Sequence, residues 1–152
     1  MFKGKHFYAQ TTGNSAMTQI SAYLHFNGNC REAMTFYKEC LGGELTLSTV
    51  GESPMAAQMP AMKEKIMHSV LTKDGFVLMA SDMMGSEGFT KGNTISLSIT
   101  GTTPEELRTY FSALSKDGNV LHELKEEFFG TYGDLTDKFG IDWMFQADKP
   151  KA

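Results

Sequence analysis

One helix start is written twice in this chain, 74 residues apart, and that repeat constrains the fold more than any other feature. The first copy is Asn27-Gly28-Asn29, then Cys30, Glu32, Ala33, Met34, Phe36-Tyr37 and Leu41. The second is Thr103-Pro104-Glu105-Glu106, then Leu107, Tyr110-Phe111 and Leu114. A shift of 74 lays Asn29 on Thr103, Glu32 on Glu106 and Phe36-Tyr37 on Tyr110-Phe111. A period this long points to one structural unit used twice, each copy supplying its own sheet for its helix to cover. Coincidence between two capped helices is the alternative.

The flanking segments support duplication. Ile20 to Phe26 reads as a strand. Asn29 suits an N-cap, and Glu32 stands where its carboxylate can return to the cap amide. Cys30, Ala33, Met34, Tyr37 and Leu41 recur at helical spacing as one buried stripe. Gly42-Gly43 can end the helix in the left-handed conformation. Strand patterns follow at Glu44 to Val50, Ile66 to Thr72 and Phe76 to Ser81, the last two flanking Lys73-Asp74-Gly75, a hairpin turn signal. The second half repeats the order. Thr94 to Thr100 is a strand, Thr103 caps a helix with Pro104 in its first turn and Glu106 completing the capping box, and Leu107, Tyr110, Phe111 and Leu114 form the stripe before Gly118. Strands return at Asn119 to Leu124, between Phe128 and Thr136, and at Ile141 to Gln146. Module one thus spans about residues 20–82 and module two about 93–147. They are joined by Met83 to Gly92, a segment holding Gly85, Gly88 and Gly92 and no apolar period. Residues 1–16 carry no period and read as an extension or vector-derived arm, with a docking arm built on His6, Phe7 and Tyr8 as the alternative.

Composition narrows the function classes. At 152 residues, with 41% hydrophobic and 21% charged residues, the chain can bury a core as one globular domain. No apolar run approaches the roughly 20 residues needed to span a bilayer. A net charge of −4 and scattered Lys and Arg argue against a nucleic-acid groove. Cys30 and Cys40 lie on one helix, about 15 Å apart at about 1.5 Å per residue, beyond disulfide reach. Free thiols and the lack of a signal peptide favour a cytoplasmic location. Core filling is the ordinary role for such cysteines, a thiol nucleophile the sharper one. No phosphate-cradling glycine loop and no Ser or Cys nucleophile motif is present.

Tyr23-Leu24-His25-Phe26-Asn27-Gly28-Asn29-Cys30, Glu32-Ala33, Phe36-Tyr37 and Leu41-Gly42-Gly43 resemble the opening of PhnB-like proteins of the vicinal oxygen chelate superfamily. That superfamily also holds glyoxalase I, bleomycin-resistance proteins and extradiol dioxygenases. Tyr132-Gly133, Leu135-Thr136-Asp137-Lys138-Phe139-Gly140-Ile141 and Trp143-Met144 extend the resemblance, and His68 with Leu78 to Asp82 adds a weaker match. The resemblance implies an α+β fold of two βαβββ modules, each curling its sheet into a half-barrel around a cavity, usually within a homodimer. It also carries a methyltransferase label used for some of these proteins. No glycine-rich strand-to-helix turn is present to cradle S-adenosylmethionine, so that label is set aside.

Metal-dependent members of the superfamily take ligands from the first and fourth strands of each module. By motif those positions fall near Ala22, at Met79, at Thr94 and at Met144. Such residues make no hard-metal centre, and a slip to Ser21 or Tyr23 does not restore one. No metal and no cofactor is therefore expected.

Face assignments then nominate a binding surface. A turn at Asp74-Gly75 pairs Thr72 with Val77, Val70 with Met79 and His68 with Ser81, so these side chains share a face. His68 becomes the candidate acid or base, with a structural histidine bonded to Ser81 as the alternative. On the first strand, alignment points Ala22, Leu24 and Phe26 at the cavity and Tyr23 and His25 at the helix. Hydrophobicity prefers the reverse, and a one-residue shift exchanges the two. In module two, Ile95, Leu97 and Ile99 should meet the helix while Thr94, Ser96 and Ser98 line the cavity. Trp143 belongs to the core row, and Met144 and Gln146 to the cavity row. His122 reads as a solvated surface residue. Met55, Met59 and Met62, among Pro54 and Pro60, suit a pliable lid or a dimer contact. Phe128, Phe129 and Tyr132 suit either a pocket closure or core packing.

The expectation is a metal-independent small-molecule-binding protein, a homodimer with no nucleic-acid or membrane partner. Its ligand would be contacted by His25, Met79, Ser81, Thr94, Ser96, Ser98, Tyr132, Met144 and Gln146. The alternatives are a glyoxalase-like lyase or isomerase using His68, and a structural dimer with a vestigial pocket.

Overall fold

The computed structural model describes residues 18–85 and 88–151, so the reading of residues 1–16 lies outside the described residues. Module one runs β1 (Ala22–Phe26), α1 (Cys30–Leu41), β2 (Glu44–Thr49), β3 (Ile66–Lys73) and β4 (Phe76–Asp82). Module two runs β5 (Leu97–Ile99), α2 (Pro104–Leu114), β6 (Asn119–Glu127), β7 (Gly130–Thr136) and β8 (Asp142–Asp148). Strand order is β1-β4-β3-β2 in the first sheet and β5-β8-β7-β6 in the second. In each, the first strand lies parallel to the fourth and the other neighbours are antiparallel. The 74-residue repeat is therefore a duplicated βαβββ unit in topology as well as in spacing. The chain divides between Phe89 and Thr90 into two compact units. No described helix is long and apolar enough to cross a membrane.

The helical stripe of module one is buried as its spacing requires. Cys30, Ala33, Met34 and Tyr37 are inaccessible to solvent, and Leu41 nearly so. Each large apolar side chain removed from water in this way contributes about 1.5–3 kcal/mol. Gly42 and Gly43 end the helix at φ 76 and 96, as expected, and a side chain on Gly43 would strike the Thr72 carbonyl. In module two Leu107, Phe111 and Leu114 are buried, and Phe111 meets Phe145 of β8 edge to face with ring centroids 5.0 Å apart.

The start of α1 departs from expectation. Asn29 makes no side-chain cap bond. The donors go instead to Asp82, at the far end of β4. Its Oδ1 accepts the amides of Gly28 at 2.9 Å and Cys30 at 3.0 Å, and its Oδ2 accepts the amide of Ile66 at 2.9 Å. A carboxylate accepts at both oxygens and faces the positive end of the helix, so it displaces the neutral amide of Asn29 from the role. In α2 the expected cap forms: Thr103 Oγ1 accepts the Glu106 amide at 3.2 Å. A reciprocal capping box unforeseen from the sequence joins Thr49 to Glu52, opening the 3₁₀ turn Val50–Glu52. The methionine segment continues through turns to a second 3₁₀ turn, Pro60–Met62.

β5 is shorter than its pattern suggested. Only Leu97–Ile99 pair with β8, while Ile95 is 79% exposed and belongs to no core row. Thr94 and Ser96 consequently precede the strand rather than lining its face.

Two changes test this packing. Asp82→Asn leaves one carbonyl oxygen for three amides, two of them buried, and turns an NH₂ toward them. We expect a loss of about 3 kcal/mol in urea unfolding, against about 1 kcal/mol for Thr103→Ala. Gly133 in β7 faces the Leu124 backbone so closely that an added Cβ would lie 2.9 Å from Leu124 Cα and 3.0 Å from the Phe111 ring. Gly133→Ala should cost about 2 kcal/mol by the same measurement.

Candidate functional site

Pairing across the strands decides which side chains leave the helix-covered face of each sheet. In module one Ala22, Leu24 and Phe26 pair with Leu78, Ala80 and Asp82, while Tyr23 and His25 pair with Met79 and Ser81. Ser69 and Leu71 pair with Ala80 and Leu78 and are buried, and Ser69 Oγ lies 3.6 Å from the Cys30 thiol of α1. The face with Ala22, Leu24 and Phe26 is therefore the one α1 covers. This reverses the alignment-based register of β1: Tyr23 and His25, not Ala22 and Phe26, lie on the open face. The physical reason is the one hydrophobicity suggested, since α1 needs apolar partners. Val70–Met79 and Thr72–Val77 pair as expected, and the ladder runs to Ser69–Ala80. On its other side His68 pairs with Ser48 of β2, and the β3–β4 ladder, in the expected register, stops one pair short of His68 and Ser81.

The face of module one away from α1 thus gathers Tyr23, His25, His68 and Met79, with Ser81 on the same side but buried. The Tyr23 hydroxyl lies 3.0 Å from Nδ1 of His68, and their rings stack at 28° with centroids 5.7 Å apart. His25 adds a third ring, 5.3 Å from Tyr23. Nε2 of His68 is shielded from water. Two imidazoles and a phenol on one β surface can donate and accept hydrogen bonds and present flat apolar area. Cys30 takes no part. Burial pushes its thiol up to about 11 despite the bond to Ser69, leaving it un-ionised and unfit as a nucleophile at neutral pH.

Module two places Ser98 opposite Met144, Tyr132 opposite Gln146 and Thr136 opposite Asp142 on its own open face. Trp143 and Phe145 take the covered face and are buried. The indole N–H of Trp143 donates to Asp137 Oδ2 at 2.8 Å, and Asp137 Oδ1 accepts the amides of Phe139 and Ile141 at 2.8 and 3.1 Å. Core packing does not hold for Phe128 and Phe129, which are exposed.

His122 is more than a solvated side chain. It pairs with Asp134 across the ladder, its Nδ1 lying 2.9 and 3.1 Å from the two carboxylate oxygens. The Tyr132 hydroxyl donates to Oδ2 of the same carboxylate at 2.7 Å. Burial alone would raise the Asp134 carboxyl, and it is outweighed by the bonds from Tyr132 and His122, which together hold it below its ordinary value. The same bond, with burial, raises the Tyr132 phenol. Sequence reasoning missed this cluster because β6 carries register shifts on both sides of His122. Strict alternation cannot be counted across such bulges.

The residues do not fit the metal centre of the superfamily. Ala22 points to the covered face, Met79 and Met144 offer only soft thioethers, and Thr94 precedes its strand. Among the described residues, no three His, Cys, Asp or Glu side chains converge as a ligand set.

Comparison with known proteins places these features in a family. The family described as 3-demethylubiquinone-9 3-methyltransferase matches residues 18–146. Protein YjdN of Escherichia coli (strain K12) is 32% identical over 141 residues, covering 86% of this chain and 95% of its own length. The crystal structure of protein PA1353 from Pseudomonas aeruginosa matches at 37% identity and a TM-score of 0.78, covering 87% of this chain and 98% of that one. A PhnB protein from Bacillus cereus, described as a 3-demethylubiquinone-9 3-methyltransferase, matches at 30% identity and a TM-score of 0.70, covering 86% and 99%. A glyoxalase-related enzyme from Fulvimarina pelagi shares the fold alone, at 16% identity and a TM-score of 0.54, covering 86% of this chain and 89% of that one.

The depressed Asp134 carboxyl has a pH signature. It stays ionised in the fold below the range where the unfolded chain takes up the proton. Its stabilisation is therefore complete above that ordinary range and drains away as pH falls through the lower folded value. Urea unfolding between about pH 5 and about pH 2 should fall less steeply for Asp134→Asn than for the parent chain. Parallel curves would refute the assignment.

Proposed function

This chain belongs to the family described as 3-demethylubiquinone-9 3-methyltransferase, a PhnB-like branch of the vicinal oxygen chelate superfamily, and from that premise we propose a metal-independent small-molecule-binding protein. The observation that carries the reading is the open face of module one. There the bonded pair Tyr23–His68 stands with His25, Met79 and Ser81. Such a surface grips an oxygenated ligand by hydrogen bonds from the exposed Tyr23 phenol and His25 imidazole, with Met79 adapting to its apolar part. Thioethers in place of hard donors support a grip that does not run through a cation.

The methyl transfer in the family's description is not carried over to this chain. The glycine-rich strand-to-helix turn that would cradle S-adenosylmethionine is not in the sequence. At the β1–α1 turn the amides of Gly28 and Cys30 already serve Asp82.

A second reading, a lyase or isomerase with His68 as acid or base, is favoured by the Tyr23–His68 bond, which holds the imidazole in one orientation. One experiment separates the two. Chelator-treated protein is screened by NMR against oxygenated small molecules. A ligand of the proposed kind shifts Tyr23 and His68 signals without added metal, and Tyr23→Phe or His68→Ala weakens it about tenfold, or about 1.4 kcal/mol. Binding that returns only with a stoichiometric divalent cation would overturn metal independence. Turnover that His68→Ala lowers by about 100-fold or more would favour the enzyme, and turnover unchanged by that substitution would remove His68 as its base.

A further inference from the structure

One corner of module two carries a second set of chemically matched groups, independent of the face discussed above. Its polar half is His122, Asp134 and Tyr132. An ionised carboxylate only accepts, so the hydrogen of the His122–Asp134 bond sits on Nδ1, and in the neutral ring Nε2 keeps its lone pair. The Tyr132 hydroxyl spends its proton on Asp134 too, leaving its oxygen able to accept. The His122 side chain is 70% exposed while Asp134 is only 15% exposed, so the imidazole is held from behind and presents its far edge outward. The nearby cation Lys125, which pairs with Tyr132 across the ladder, is engaged by Glu127 at 3.2 Å. The cluster is therefore rich in acceptors, among them the Asp134 carboxylate.

The apolar half adjoins it. Phe128 and Phe129, at the β6–β7 turn, are 88% and 42% exposed. Their rings meet edge to face at 5.0 Å, and Phe129 meets Tyr132 at 6.1 Å and 70°. A continuous run of three rings thus leads from solvent to the acceptor cluster. Exposing a phenylalanine to this degree forfeits the gain its burial would give, so a chain that keeps two together leaves room for an apolar partner.

We propose that this corner binds a flat aromatic ring carrying a hydrogen-bond donor, a hydroxyl or an ammonium group. The ring lies on Phe128 and Phe129, and the donor reaches Nε2 of His122, with the Tyr132 oxygen open to a further hydrogen of an ammonium group. A carboxylate in place of the donor is repelled by Asp134. Asp134 acts as a positioning residue that fixes the imidazole tautomer. Phosphate and other anions are excluded on the same ground.

The test uses the full chain, isotopically labelled, titrated with 4-methylphenol, benzylamine and benzoate. The first two should shift His122, Phe129 and Tyr132 signals with millimolar affinity, and benzoate should fail at about tenfold higher concentration. His122→Ala, and Phe128→Ala with Phe129→Ala, should each weaken 4-methylphenol about tenfold. His122→Gln, which keeps an acceptor, should restore part of the loss. Asp134→Asn should move the imidazole ¹⁵N signature toward the Nε2–H tautomer and weaken 4-methylphenol binding, which a merely structural aspartate would not do. The proposal is overturned if neither donor compound binds, if benzoate binds as well, or if the variants bind equally. Shifts confined to Tyr23, His25 and His68 would overturn it while leaving the module-one reading intact.

Discussion

A buried carboxylate at the end of β4 ties together the parts of module one that must meet for its open face to exist. Asp82 accepts amides from the β1–α1 turn, from the first residue of α1 and from the first residue of β3. Burying such a group is unfavourable unless its oxygens are satisfied, and here they are satisfied by donors that would themselves be orphaned. The start of the helix is thereby pinned to the sheet it covers. Once α1 is seated over Leu78 and Ala80, the alternation of each strand leaves Tyr23, His25, Met79 and Ser81 on the other side.

Module two solves a comparable problem with a different residue. Asp137 lies just beyond β7 and collects the Phe139 and Ile141 amides and the Trp143 indole, closing the turn that leads into β8. This explains why Leu135 to Trp143 carries so much of the family resemblance. The segment is a hydrogen-bonded corner, and what it builds is architecture. The polar groups of the two open faces lie elsewhere and differ between copies. His68 precedes the buried Leu71 by three residues, as Tyr132 precedes the buried Leu135, yet one partners a tyrosine of β1 and the other an aspartate of its own strand. Duplication repeated the scaffold, and the polar groups on it diverged.

Much of this scaffold was legible beforehand. Helical stripes, the Gly42-Gly43 stop, the Asp74-Gly75 hairpin and its Val70–Met79 register are local patterns enforced by backbone geometry. Other features were not. Asn29 has the chemistry of a cap, but a carboxylate 53 positions away along the chain competes better. Ile95 continues the alternation of β5 and still lies outside it, because a strand ends where its partner's hydrogen bonds end. His122 is at the surface as expected, but bulges in β6 break the counting that would have placed it opposite Asp134.

By itself, then, the sequence determined the duplicated βαβββ plan, the core stripes, the family and the poverty of hard-metal donors. The plan and the stripes follow from periodicity and turn chemistry, and the family and the missing donors from a resemblance carried by short motifs, each confined to a few neighbouring positions. Only the tertiary structure decided which face of β1 is open, what caps α1, and that His122, Asp134 and Tyr132 meet. Each of those depends on a residue distant in the chain arriving within hydrogen-bond reach. A pattern of local periods carries no record of such an encounter.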